Sequence, residues 1–343
     1  MRYMSQSIIR AVAIAVGVTS FVMATGRAFG QTGASATPLF QSGDVLELNP
    51  PIIYSPSEAI EVPVEKFRRG FYQGAEVLGG YLADVGGNSA GMNQTFEEAR
   101  VSFGIPVDVL TGGPVSMDNI IGLRPYFRVD HFDGPDFSDP SLGLPSDIDV
   151  PGSVYDTGVT LLNQKKWSEV FSTTLIVSPS IRSDFQTSDN AFRLFGLALL
   201  NWKPCPEWTV SAGVVYFDRN DFSLLPAFGV VYQPTPWWKF DFTMPRPRIA
   251  RRMWKNGGQA EGWAFVGARI GGNTWAVKRD SGESDELTVR GFEILGGYEV
   301  IGAGNRGFAV ETHYTFGRSI EYDRQDIEID LTDAVGIRAA WQF

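Results

Sequence analysis

The sequence predicts an all-β fold, an antiparallel up-and-down transmembrane β-barrel of 12–14 strands. Three observations carry the prediction. Beyond the N-terminus no stretch approaches the ~18–20 uncharged apolar residues of a spanning helix. Apolar and polar residues alternate with period 2 from about Arg69 to the last residue, Phe343. Aromatic residues gather where these alternating segments end.

The N-terminus reads as an export signal. Arg2 and Arg10 give a positive start, Ala11 to Ala24 form an uncharged apolar run, and Ala28-Phe29-Gly30 places small residues where a signal peptidase cuts. Cleavage is expected before Gln31. Residues 1–30 are therefore a signal peptide, 31–68 a periplasmic leader or plug segment rich in Pro, Ser and Thr, and 69–343 the barrel.

Charge and composition exclude several function classes. Removing 1–30 takes away three arginines and no acid, so the formal charge moves from −10 to −13. A chain this acidic does not suit nucleic acid, whose phosphates are neutralised by Lys and Arg. Cys205 is the only cysteine, which excludes an internal disulfide, and His131 and His313 are the only histidines. No metal or cofactor is expected.

Alternation identifies the strands. Glu98, Arg100, Ser102 and Gly104 share one face, and Ala99, Val101, Phe103 and Ile105 the other. Arg124, Tyr126, Arg128 and Asp130 oppose Ile121, Leu123, Phe127 and Val129. Glu311, His313 and Thr315 oppose Phe308, Val310, Thr312, Tyr314 and Phe316. The final run sets Val335, Ile337, Ala339, Trp341 and Phe343 against Gly336, Arg338, Ala340 and Gln342. Strands are expected near 70–83, 94–105, 118–131, 153–164, 168–182, 190–202, 207–217, 223–233, 237–244, 261–278, 286–300, 306–320 and 332–343. That is an odd number, and single-chain bacterial barrels have even ones. Either one is false, giving twelve, or Arg248–Trp254 is a return strand after the turn at Met244-Pro245-Arg246-Pro247, giving fourteen.

A water-soluble sandwich would also alternate. Its polar face would be richer in Lys and Glu, whereas here it carries Gly, Ser, Thr, Gln and mixed charges, as a crowded lumen does. Trp202, Trp208, Tyr216, Tyr232, Trp237, Trp238, Trp341 and Phe343 sit at segment ends, as in the girdles at a membrane–water interface. The aromatic C-terminus resembles the sorting signal that outer-membrane assembly machinery reads, so Trp341 and Phe343 are its expected carriers.

Other motifs divide between bland and functional readings. Gly302-Ala303-Gly304-Asn305-Arg306-Gly307 matches a dinucleotide fingerprint, but a strand follows instead of a helix, so a hairpin turn is expected. Arg246, Arg248, Arg251, Arg252 and Lys255 form a basic run: a solvated loop, a rim for lipopolysaccharide phosphates, or an anion-attracting constriction. Asp130, Asp133, Asp136, Asp139, Asp147 and Asp149 match no calcium-loop spacing and read as an exposed loop. Glu311 and His313, two apart on one strand, face the lumen together; a polar contact outweighs an acid–base pair of a membrane hydrolase.

Leu225-Pro226-Ala227-Phe228-Gly229-Val230-Val231-Tyr232-Gln233-Pro234, then Trp237-Trp238-Lys239-Phe240-Asp241-Phe242 and Met244-Pro245-Arg246-Pro247-Arg248-Ile249, resemble a family of outer-membrane β-barrel proteins of unknown function. Trp208-Thr209-Val210-Ser211-Ala212-Gly213-Val214-Val215-Tyr216, Gly271-Gly272-Asn273-Thr274-Trp275 and Tyr314-Thr315-Phe316-Gly317-Arg318 are similar too, and the Gly-aromatic pieces also resemble barrels of the aromatic-catabolism transport type. The resemblance implies fold and location and supplies no activity.

The functional expectation is a non-enzymatic outer-membrane barrel acting as a passive channel for small solutes. Arg100, Arg124, Arg128, Lys239, Asp241, Glu311, His313 and Arg338 are its expected lumen residues. Its partners would be outer-membrane lipid and lipopolysaccharide, the assembly machinery and small solutes. A closed structural or surface-interaction barrel is the alternative.

Overall fold

The computed structural model describes residues 62–68, 70–86, 90–112, 118–135, 149–218, 224–324 and 327–343. The expected signal peptide, most of the leader, and Asp136, Asp139 and Asp147 lie outside them.

Fifteen strand segments follow in order: β1 (Tyr72–Asp84), β2 (Asn93–Pro106), β3 (Asn119–Asp133), β4 (Ser153–Lys166), β5 (Phe171–Ser183), β6 (Phe192–Cys205), β7 (Trp208–Tyr216), β8 (Leu224–Thr235), β9 (Trp238–Asp241), β10 (Arg248–Asn256), β11 (Ala260–Lys278), β12 (Ser284–Gly302), β13 (Gly307–Tyr322), β14 (Ile327–Leu331) and β15 (Ala334–Gln342). One short helix, α1 (Val107–Thr111), lies between β2 and β3. From β1 to β13 each strand pairs antiparallel with its sequence neighbour. The ring closes because β1 also pairs with β15, from Glu76↔Gln342 to Asp84↔Ala334. β14 and β15 lie end to end on one edge of β13, opposite Arg318–Tyr322 and Gly307–Thr315. They are one strand broken at Thr332–Asp333, so the barrel has fourteen strands.

Fourteen follows because Arg248–Trp254 does return. Pro245 and Pro247 cannot donate to a ladder, so the chain turns there, with the Arg246 amide donating to the Thr243 carbonyl at 3.0 Å. β10 then pairs with β9 from Arg248↔Asp241 to Arg251↔Trp238. The six-residue glycine motif forms the turn between β12 and β13, with Gly304 and Asn305 both at positive φ.

Burial is inside out relative to a water-soluble sheet. Leu175, Val266, Phe292, Ile294 and Ile337 point outward and are exposed, while Arg100, Arg128, Asp130, Glu293 and Glu311 on the alternate face are buried. One end of the barrel, here the near end, carries Tyr72 and Gln342. Trp202, Trp208, Trp237, Trp238, Trp341 and Phe343 all stand exposed toward that end, and Trp208 stacks on Tyr232 at 4.3 Å. Of the expected girdle residues, Tyr216 alone falls at the far end.

The wall is uneven. β11 and β12 run 19 residues each, whereas β9 has four and β10 nine. Above Ala268, whose amide reaches the Pro247 carbonyl at 3.0 Å, β10 no longer accompanies β11. The β11–β12 hairpin bends at Gly272, whose φ of 112° suits only glycine and where a Cβ would meet the Val289 carbonyl. A register shift at Gly291 accompanies the bend. The hairpin then crosses to β5, where Ala276 pairs with Ser183 and the Asp184 amide donates to the Ala276 carbonyl at 3.1 Å. β5 and β11 are far apart in strand order, so this contact spans the far mouth. Both faces of the hairpin are covered there: Trp275, Val277, Leu287 and Val289 on one side, Thr274, Ala276 and Thr288 on the other.

Candidate functional site

The site is the lumen, and it is filled in layers. At the near end Val64, from the last described part of the leader, packs against Ala250, Trp263, Phe265 and Ile301. The Glu65 carbonyl accepts from the Gly304 amide at 2.7 Å, and Arg68 Nε donates to the Gly304 carbonyl at 2.5 Å. This short stretch therefore seats in the near mouth.

An ionic layer lies above it. Arg269 Nη2 donates to Glu293 at 2.5 Å and Glu311 at 2.8 Å. Arg338 donates to the same two carboxylates at 2.7 and 2.9 Å. The result is a ring of two cations and two anions supplied by β11, β12, β13 and β15. A second chain of charges runs across β1, β2 and β3. Arg100 bonds Glu98 at 2.5 Å and lies 3.6 Å from Glu76, while Arg128 bonds Asp130 at 2.5 Å and lies 3.6 Å from Glu98. The two networks meet at Phe96, whose ring has the Arg128 guanidinium 4.0 Å and the Arg338 guanidinium 5.9 Å from its centre. The cavity left between them, lined in part by Tyr81, Gln94 and His313, measures about 40 Å³. That holds a few waters.

Two apolar bodies complete the filling. The far mouth is closed by Met92, Phe132, Val154, Trp275, Leu287, Ile320 and Tyr322, with the Trp275 and Phe132 rings edge to face at 5.8 Å. Along β4 to β8 the lumen face is itself apolar: Leu162, Ile176, Phe195, Leu197, Val215 and Ala227 form one cluster.

No protein-family model matches the sequence, and neither does any curated protein. The fold is similar to the low-pH structure of Pseudomonas putida OprB, at TM-score 0.32 and 9% identity over 80% of this chain and 93% of that one. It is also similar to the siderophore receptor PirA from Pseudomonas aeruginosa, at TM-score 0.20 and 8% identity over 80% and 81% of the two chains. Both likenesses are coarse, and the resemblance of the Leu225–Ile249 region to an uncharacterised barrel family stands at the level of the fold.

All eight expected lumen residues lie on the lumen face, yet in different company. Arg100, Arg128, Glu311 and Arg338 belong to the ionic layer; Arg124 donates to Ser102 at 3.1 Å beside it. Lys239 and Asp241 pair with each other at 3.9 Å on β9, apart from the layer. Glu311 is engaged by two arginines, and no hydrogen bond joins it to His313 among the described residues. The basic run is split between faces. Arg248 pairs with Glu299 over the Phe265 ring, and Arg252 pairs with Glu261 at 3.4 Å, both inward. Arg251 is exposed over Trp238, and Arg246 sits at the β9–β10 turn. The missed members are Glu76, Glu98, Asp130, Arg269 and Glu293. Their signal was available, since each is a charge on the lumen face of an alternating strand; the pairing was not, because it joins strands far apart in sequence.

Proposed function

We propose that this protein is an outer-membrane barrel that serves as a gated route for small solutes, shut in the described state. The observation that supports the reading best is the buried ionic layer. An apolar filling would have closed the lumen with less desolvation, since buried ion pairs add little net stability over apolar packing. Paired charges, unlike an apolar core, separate readily when water enters. The hairpin of β11 and β12 is the second barrier, hinged at glycines and held to β5 and the turn after it by polar contacts such as Arg182–Asn273 and Thr187–Ser284, the latter at 2.8 Å. The outward apolar surface and the tryptophans of the near end support a membrane setting, with the near end periplasmic.

Location and gating are tested separately. Leu175→Arg, on the outward face, is expected to destabilise the barrel in phospholipid vesicles by about 2–4 kcal/mol. An unchanged unfolding midpoint would remove the membrane reading. In planar bilayers the intact barrel is expected to stay nearly silent, whereas a variant with 274–288 replaced by a short turn and Arg338→Gln shows discrete current steps. Silence from both, with folding verified by heat-modifiable gel mobility, would favour the second reading, a closed structural or surface-interaction barrel, which the filled lumen also supports.

A further inference from the structure

We propose that a notch in the barrel wall, between the β8–β9–β10 turn region and the bent upper half of β11, is a binding site for a small, neutral, apolar molecule entering from the hydrocarbon layer. The notch follows from the uneven wall. The tops of β7 to β10 step downward to the turn at Met244–Pro247, while β11 rises past it and leans away to β5. Between Ala268 and Ala276 the backbone of β11 has a strand partner only on its β12 side among the described residues.

The opening holds a cavity of about 300 Å³. Its inner wall is Phe195, Val215 and Leu225, all on the lumen face of their strands. Its outer lip is Phe228, Met244 and Ile270, which are 62%, 54% and 39% exposed on the outside of the barrel. One cavity thus joins the inside of the wall to the outside. Ile181, Phe192 and Leu224, nearer the far end than Phe228 and Met244, also point outward and are exposed, so the opening lies within the apolar belt.

The lining selects the ligand. Small-molecule sites begin near this volume and are mostly apolar with a few polar groups. At ~10–15 Å³ per water-sized group on this measure, the space takes about twenty such groups. Of the charged groups lining it, Arg246 stands at the β9–β10 turn, and those at the back are engaged: Arg193 pairs with Glu286 at 2.6 Å, Arg182 with Asp156 at 2.9 Å, and Asp218 accepts from the Leu194 amide at 2.9 Å. A charged ligand would be desolvated there without a new partner. Phe195 and Phe217, edge to face at 5.5 Å, present aromatic surface suited to a ring.

The test uses the full barrel in phospholipid nanodiscs with ¹³C-labelled Ile, Leu and Val methyls, titrated with toluene. Saturable shifts are expected at Val215, Leu225 and Ile270, and Leu225→Trp, which fills the space, should weaken them at least about tenfold. Val215→Phe serves if Leu225→Trp does not fold. Shifts that never saturate and spread evenly over outward methyls such as Leu175 and Val266 would mean partition into lipid and overturn the proposal. So would intermolecular contacts from lipid chains to Val215 that toluene fails to displace, since the occupant would then be an acyl chain. Filling variants that leave the shifts unchanged would overturn it as well.

Discussion

Glu311→Ala is expected to lower the unfolding free energy by about 3–5 kcal/mol, the range for breaking a buried ion pair from one side. Glu311 is 2% exposed and accepts from both Arg269 and Arg338. Its removal leaves two guanidiniums sharing Glu293, which each still reaches at 2.5 and 2.7 Å. One surviving anion places the expected loss toward the lower end of the range. Glu311→Gln keeps an acceptor oxygen and removes the charge, so its effect should fall between Ala and the unsubstituted chain. The paired variant Glu311→Ala with Arg338→Leu restores charge balance and should recover part of the loss. Guanidinium titration of the barrel in vesicles reads all four proteins. A loss below about 1 kcal/mol for Glu311→Ala would mean the layer is hydrated and behaves like surface pairs.

Trp275→Ala is expected to cost about 3–5 kcal/mol, the range for truncating a large buried aromatic. Trp275 is 1% exposed and is the largest fully buried side chain among the described residues, packed in the far-mouth cluster against Phe132. The cavity could close only if β11 and β12 shifted, and their covered faces and the β5 contact resist that. The indole nitrogen has no hydrogen-bond acceptor among the described residues. Trp275→Phe therefore deletes a buried donor along with volume, and should lose much less than Trp275→Ala. Thermal or denaturant unfolding separates them; a Trp275→Phe loss as large as that of Trp275→Ala would mean that burial of a ring contributes little at this position. Because Trp275 anchors the hairpin over the mouth, the same substitution should raise the frequency of current steps in a planar bilayer.

Strand identity was legible in the sequence because a period of 2 puts a chemical label on every residue. Glu98 and Arg100 against Ala99 and Val101 already separate lumen from lipid, and the burial of β2 follows that division. The return strand at Arg248 was legible as one of two options, since the prolines forced a turn without fixing where pairing resumed. The broken last strand was not. Its two pieces meet β13 on one edge, and nothing local to Thr332 and Asp333 marks the interruption. For the site, alternation tells which charges face inward but not which of them meet. Glu293 and Arg338 are brought together by the closure of the ring and not by sequence proximity. The notch and the inward hairpin were equally hidden: Gly271, Gly272 and Gly291 look like ordinary barrel glycines until β10 is seen to stop short.

The β5–β11 contact also orders events in time. Arg182 and Asn273, joined by a hydrogen bond, are 91 residues apart, and Arg193 and Glu286 are 93 apart. Pairs this distant form late, because the intervening chain must first be confined. The five strands between β5 and β11 have to be laid down before Ser183 and Ala276 can pair. Assembly should therefore pass through a species with a complete ladder and an unsealed far mouth, in which hydrogen exchange at the Asp184 amide, which donates to the Ala276 carbonyl, outlasts exchange at neighbouring ladder amides.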